Sequence, residues 1–245
     1  MELYIVINHY ILDKEIEELA LQAIDSFRRT CHGMIISVDD CSPWDMTKIR
    51  EKSDIFIKTK TNLGFAGSAN VGLQYFLDNF TGDVVYANND IEVNPGWYEE
   101  FCRLRTITGA NMLGGLGYRS KEHHLAPRQK FSEGGRLEDW MFPGGFFMTD
   151  DVTLREVGIY DPEYEHGGVE DIDLFYRMKL AHKKLIMVGT VTYWHKEGAT
   201  RYSATQKGKN HEAEKRNLAY FKAKWGFDAL PHLYSRILLD NRINL

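Results

Sequence analysis

Residues 86–97, YANNDIEVNPGW, run from an apolar stretch into Asn88, Asn89, Asp90 and Glu92. Carboxylate and carboxamide oxygens at a strand end are hard ligands. They suit a divalent cation of the Mg2+ or Mn2+ kind, with phosphate oxygens and water completing its shell. The structural account is a polar strand end, with Pro95 in the first turn of the next helix. A second acidic group is Glu170, Asp171 and Asp173 in GGVEDIDLFYRM. The helix dipole favours acids in a first turn, but three acids in four positions exceed what capping requires. A carboxylate held there behind two glycines can be aimed into a cleft as a general base. His195 closes VTYWH. A lone histidine is more often a buried, hydrogen-bonded group, and as a metal ligand it needs a partner such as Asp90.

Two further stretches suit a polar ligand. In DDCSP, Asp39 and Asp40 can simply close a turn, or Asp40 can accept a hydrogen bond from the imide N–H of uracil or thymine. In TNLGFAGSANVGL, Gly64 and Gly67 permit tight turns and Ser68 is a candidate helix cap. The same geometry brings backbone N–H groups and Asn side chains to a ribose or phosphate. No Lys-Ser/Thr pair follows these glycines, so the pattern is not a P-loop and an ATPase is not expected.

The elements that must position these residues alternate. LYIVI, MIISV, DIFIK and DVVYA read as strands; KEIEELALQAIDSF and a segment from about Ser68 read as amphipathic helices. Near-continuous apolar strands between helices imply a parallel sheet covered on both faces, with ligands bound beyond the carboxyl ends of its strands. In the second half, MFPGGFFMT and KLIMVGTVTYWH read as strands and VEDIDLFYRMKLAH as a helix. HEAEKRNLAYFKAKWG is a late helix stopped by Gly226. Residues 117–139 and 196–210 read as polar loops. No repeat, low-complexity tract or linker divides the chain, and one domain is expected over 1–245.

Composition narrows the class. With 245 residues and 43% hydrophobic content the chain can bury one substantial core. A net charge of −5 gives no broad basic surface for duplex DNA or an anionic membrane. Cys31, Cys41 and Cys102 are odd in number and lack metal-type spacing, which fits reduced thiols in a cytoplasmic protein. No apolar run approaches the ~18–20 residues that span a bilayer. Work at a membrane would be from the cytoplasmic side, as a peripheral visitor.

Taken in order, DDCS, NLGFAGSANVGL, NNDIEVNPGW, PGGFFMTDDVTLREVGIYDPEYEHGGVEDIDLFYRMKLAHKK and TVTYWHKEGAT resemble the family 2 glycosyltransferases of the GT-A fold, in particular the rhamnosyltransferase-like branch. The likeness runs from about residue 3 to 201. It implies an α/β fold with a Rossmann-like, mostly parallel central sheet flanked by helices and a smaller mixed sheet on the acceptor side. Residues 1–110 would form the nucleotide-sugar-binding half and 111–245 the acceptor-binding and catalytic half. By resemblance Asp40 recognises the donor base, and Asn8 and Asn62 line the nucleoside pocket. Asp39, Asn70, Asn89 and Arg201 fall on the same donor side. Asn88-Asn89-Asp90 takes the place of the family's DxD, its last Asp binding Mn2+ or Mg2+ and its first Asp replaced by an amide. His195 matches a histidine that joins the metal.

Glu170-Asp171 matches the family's ED pair, with Asp171 the base of an inverting transfer. Glu170, Trp140, Gly144 and Gly145 fall on the acceptor side, and Arg201, Lys207 or Lys209 would close a late loop over the phosphates. The expected partners are a UDP- or dTDP-linked sugar donor and a saccharide or glycoconjugate acceptor, with no nucleic acid. The C-terminal LPHLYSRILLDNRINL reads either as a homodimer contact or docking site, or as a helix on its own core. Two other readings share the fold. A sugar-phosphate nucleotidyltransferase usually has a basic Gly-rich loop after the first strand, where this chain has NHYILDKE. A non-catalytic nucleotide-sugar or glycan binder draws on the missing first Asp but leaves Glu170-Asp171 unexplained.

Overall fold

A computed structural model describes residues 2–119, 137–138, 144–196, 198–199 and 207–229. The first half alternates strand and helix as the sequence predicts: β1 (Leu3–His9), α1 (Lys14–Thr30), β2 (Met34–Asp39), α2 (Thr47–Lys52), β3 (Ile55–Lys58), α3 (Gly64–Asn79) and β4 (Asp83–Asn88). Then come β5 (Ile91–Val93), α4 (Trp97–Thr108), β6 (Met112–Tyr118), β7 (Leu137–Glu138) and β8 (Phe146–Asp150). The last described elements are α5 (Asp151–Val157), α6 (Glu170–Leu180), β9 (Leu185–His195) and α7 (Lys207–Trp225).

The strands form one sheet in the order β3-β2-β1-β4-β8-β6-β9-β5, with β7 on β9. Pairs from β3 to β4 are parallel; β8 then runs antiparallel between β4 and β6. β6 and β9 are parallel, while β5 and β7 are antiparallel to β9. The mixed portion is therefore continuous with the parallel portion across β4 and β8. In β1, Leu3, Ile5 and Ile7 pack with α1, α2 and α4, whereas Tyr4 and Val6 pack with α3 and α6 on the other face. Period-two alternation between two buried faces is why these strands read as continuous apolar runs.

Several boundaries differ from the sequence expectation. Helix α3 begins at Gly64, so Ser68 is one turn inside it and its hydroxyl donates back to the Gly64 carbonyl at 2.8 Å instead of capping. Pro95 precedes α4, whose first residue is Trp97 after a left-handed Gly96. Residues 117–118 extend β6, 137–138 form β7, and the backbone is helical from Lys207, so Lys207 and Lys209 belong to α7 and not to a loop. The three cysteines are free and half-buried. Trp140, Arg201 and the 230–245 segment lie outside the described residues.

Helix α4 is pinned to the start of β4 by charge. Asp83 is fully buried and takes Arg105 in a bidentate pair, Nη1–Oδ1 2.5 Å and Nη2–Oδ2 2.6 Å, with the Tyr98 hydroxyl at 3.2 Å. Removing one partner of such a pair strands the other charge in the interior. Arg105→Ala is expected to lower unfolding free energy by about 3–5 kcal/mol, read from urea midpoints.

Candidate active site

Strand register assembles the first part of the site. Asn8 on β1 stands beside Asn88 on β4, and His9 stands beside Asp39 on β2, so these side chains meet at the carboxyl ends of adjacent parallel strands. Beyond Asn88 the chain turns into β5, whose antiparallel pairing with β9 sets Ile91 opposite His195. This places His195 Nε2 3.1 Å from Asp90 Oδ1, with the Asn88 Nδ2 at 3.3 Å from the same nitrogen. Asp90 is buried, and His195 is half-buried.

The second part is delivered by β8. Because it returns antiparallel to β4, the turn before it, Gly144-Gly145, lies at the end of β4, and the Asn88 N–H donates to the Gly145 carbonyl at 2.8 Å. A Cβ on Gly145 would come within 3.1 Å of Asn88 Nδ2 and 3.2 Å of His195 Cε1; one on Gly144 would come within 2.6 Å of Asp171 Cβ. The approach of Asp171 requires glycine at 144, and that of Asn88 and His195 leaves little room for a side chain at 145. Asp171, second residue of α6, accepts from the Gly144 N–H with Oδ2 at 3.2 Å and from the Ile172 N–H with Oδ1 at 2.8 Å. The carboxylate is thus fixed against Gly144, while Asn88 and His195 lie against the adjacent Gly145.

Tyr86 and Tyr160 back this wall. Burial first, then the charges of Glu170 and Asp90, push the Tyr86 phenol well above its ordinary value; Tyr160 is raised by burial and by Tyr86, Asp171 and Glu170. The acids of both halves therefore act on the same buried pair of rings. Tyr86 donates to Asn8 Oδ1, and Asn8 Nδ2 donates to Ser68 at 2.9 Å, tying β4 through β1 to α3.

The donor-side residues divide. Asp40 Oδ1 accepts from the Leu63 N–H at 2.7 Å and lies 3.4 Å from the Thr59 hydroxyl, while Asn62 spans the same loop between the Asp40 carbonyl and the Gly64 N–H. Asp39 closes the turn through the Ser42 N–H and pairs with Lys58 at 3.1 Å. Asn70 donates to the Tyr160 carbonyl at 2.8 Å, a tie between α3 and the segment before α6. Asn89 is half-buried, its Nδ2 without a hydrogen-bond partner among the described residues. Glu92 turns away from the site to Gln22 and Arg29 of α1.

Asp173 also belongs elsewhere. Fully buried, it takes Arg177 at 2.8 Å, Lys224 at 2.7 Å and the Trp225 indole N–H at 2.8 Å, joining α6 to α7. The acid run thus holds two residues close to the buried Tyr160 and one anchor. Asn217 of α7 was not singled out in the sequence. Its signal is a polar residue in a buried stripe, since Ala213, Asn217 and Phe221 are all at most 1% exposed. It binds the segment ahead of α6, accepting from the Glu165 N–H at 3.1 Å and donating to the Glu165 carbonyl at 2.9 Å.

Asp90 and His195 supply an oxygen and a nitrogen donor, and Asn88 Oδ1 is buried with no hydrogen-bond partner among the described residues. This set fits a divalent cation that draws its remaining ligands from a bound anion and water. Among the described residues no group of three or more His, Cys, Asp and Glu is arranged to hold a metal without such help.

No protein-family model matches the chain, and no curated protein matches it by sequence. Solved structures do. A crystal structure of GalNAc-T7 with UDP, GalNAc and Mn2+ superposes with TM-score 0.65 at 15% identity, over 100% of this chain and 54% of that one. S. aureus TarS 1-349 in complex with UDP-GlcNAc gives 0.60 at 15% identity, over 99% and 78%. The mannosyltransferase PcManGT from Pyrobaculum calidifontis, in complex with GDP-Man and Mn2+, gives 0.65 at 14%, over 100% and 70%. The chain has the GT-A fold. Within that fold it spans about half the length of the GalNAc-T7 chain, and no described helix is long and apolar enough to cross a membrane.

Burial raises the Asp40 carboxyl from 3.8 to about 6, against the opposing pull of the Leu63 and Gly64 N–H groups. A carboxyl whose folded value is raised contributes stability that is complete below its unfolded value and is lost as pH rises through the folded one. The loss therefore falls between pH 4 and about pH 7, and a rise from 3.8 to about 6 corresponds to at most about 3 kcal/mol, which solvent screening reduces. Asp40→Asn removes this titration. The difference in urea stability between variant and parent should move in the variant's favour by up to that amount across the window, and a pH-independent difference would count against a buried, titrating Asp40.

Proposed function

We propose that this chain is a metal-assisted, inverting glycosyltransferase of family 2, in the rhamnosyltransferase-like branch. It moves a sugar from a UDP- or dTDP-linked donor to a hydroxyl of a saccharide or glycoconjugate. The observation that carries this reading is the meeting of Asp171 with the Asn88, Asp90 and His195 cluster across Gly144-Gly145. The neighbours in fold lend support, having been solved with UDP and Mn2+, with UDP-GlcNAc, and with GDP-Man and Mn2+.

Asp171 is suited to act as the base. Two backbone N–H groups hold it, one on each oxygen, and leave each oxygen with further acceptor capacity. In the proposed step the acceptor O–H proton passes to Asp171 as the acceptor oxygen bonds to the anomeric carbon. The bond from that carbon to the phosphate oxygen breaks, and the nucleoside diphosphate leaves with the electron pair on the opposite face. Inversion follows from that in-line arrangement. Asp90 and His195 would hold the cation, with Asn88 Oδ1 beside them; the bound cation supplies Lewis-acid stabilisation of the departing diphosphate. Asp40 and Asn62, which fix the 59–64 loop, would present the base-recognition surface. The working unit is a single domain, 1–110 serving the donor and 111–245 the acceptor and catalysis, acting on the cytoplasmic side.

Two measurements test the reading. Asp171→Asn should cut transfer by about 10²–10⁴-fold, the usual worth of a positioned base, while calorimetric donor binding persists; undiminished turnover would remove Asp171 from the role. Asp90→Ala and His195→Ala should each weaken Mn2+ binding, read by electron paramagnetic resonance in the presence of UDP. Mn2+ binding equal to the parent's in both variants would reject the metal assignment. Pyrophosphate released from a nucleoside triphosphate and a sugar phosphate would instead identify a nucleotidyltransferase.

A further inference from the structure

We infer that Asn217 of α7 is a positioning residue for Asp171, acting through the strained segment that precedes α6; the inference rests on the reading of Asp171 as the base. Four consecutive residues there have positive φ: His166 (55°), Gly167 (116°), Gly168 (104°) and Val169 (78°). For a β-branched residue such as Val169 that conformation is an outlier, and it persists only where the surroundings impose it. Val169 is the residue from which α6 starts, and its carbonyl accepts the Asp173 N–H at 3.0 Å. Its backbone conformation thus sets the direction in which Glu170 and Asp171 leave the turn.

Two surfaces confine the segment. On the donor side it meets Gly64, where a Cβ would lie 2.7 Å from the His166 nitrogen. On the other side is the Asn217 carboxamide. It accepts from the Glu165 N–H at 3.1 Å and donates to the carbonyls of Glu165 at 2.9 Å and Gly168 at 3.0 Å, with the Gly167 carbonyl at 3.4 Å. A side-chain amide offers one acceptor oxygen and two donor hydrogens, and this one residue engages peptide groups at turn positions 165, 167 and 168. Asn217 is 1% exposed, and water cannot take over these bonds without opening the α7 contact. None of Asp40, Asp90 and His195 bonds to it, which separates its effect from donor and metal binding.

Asn217→Ala should lower kcat at least tenfold with donor KM and calorimetric donor affinity within twofold of the parent. Phe221→Leu, a core change one turn along the same helix, provides the comparison for a merely structural effect. It should lower the melting temperature without the kcat loss. If Asn217→Ala does not fold, Asn217→Gln keeps the amide while displacing the segment by one methylene, and the same split is read. A kcat within twofold of the parent, or equal kcat losses in the Asn217 and Phe221 variants, overturns the inference and leaves Asp171 as base intact. Undiminished turnover in Asp171→Asn removes the base itself, a failure recognised without any Asn217 variant.

Discussion

The antiparallel return of β8 along β4 is the constraint on which the site depends. Pairing Ala87 with Phe146 forces the preceding turn onto the end of β4, where the Asn88 N–H meets the Gly145 carbonyl. A side chain at 144 would overlap Asp171, and one at 145 would crowd Asn88 and His195. Close packing leaves little slack for such overlap. The two adjacent glycines therefore seat a carboxylate suited to take a proton next to a cluster suited to hold a cation.

Around that turn, charge is distributed unevenly. Asp90, Glu170 and Asp171 oppose ionisation of one or both of two buried phenols, so Tyr86 and Tyr160 stay neutral; Tyr86 contributes a hydrogen bond to Asn8, and Tyr160 contributes shape. Asn88 adds an amide dipole where a fourth carboxylate would add charge. Fewer negative charges in one enclosure cost less in mutual repulsion and desolvation, and they leave the cation to be shared with an anionic ligand. Asp39 and Asp173, equally buried, are neutralised by Lys58 and by Arg177 with Lys224. They hold elements in place.

Strain is concentrated next to this chemistry. The left-handed run from His166 to Val169 stores on the order of 1–3 kcal/mol at each non-glycine position, offset by the bonds from α7 and by the Asp173 anchor. Helix α7 is therefore coupled to the segment before α6 by hydrogen bonds to backbone, although it contributes none of the residues proposed for the reaction.

By itself the sequence determined the alternation of strands and helices, the covering of both sheet faces, and the residue types of the site. Apolar periodicity and residue chemistry are local properties, and Asp90, Asp171 and His195 stood out for that reason. Tertiary structure decided which polar residues meet at the turn before β8. Glu92 differs from Asp90 by two positions yet points to α1, and Asp173 differs from Asp171 by two yet lies in the core, because each side chain's surroundings come from elements distant in the chain. Asn70 and Asn217 became ties to backbone on other elements, and Ser68 became an internal helix residue once α3 began at Gly64. Such partners are chosen by packing across the sheet, and a pattern along one chain carries no record of what will stand opposite it.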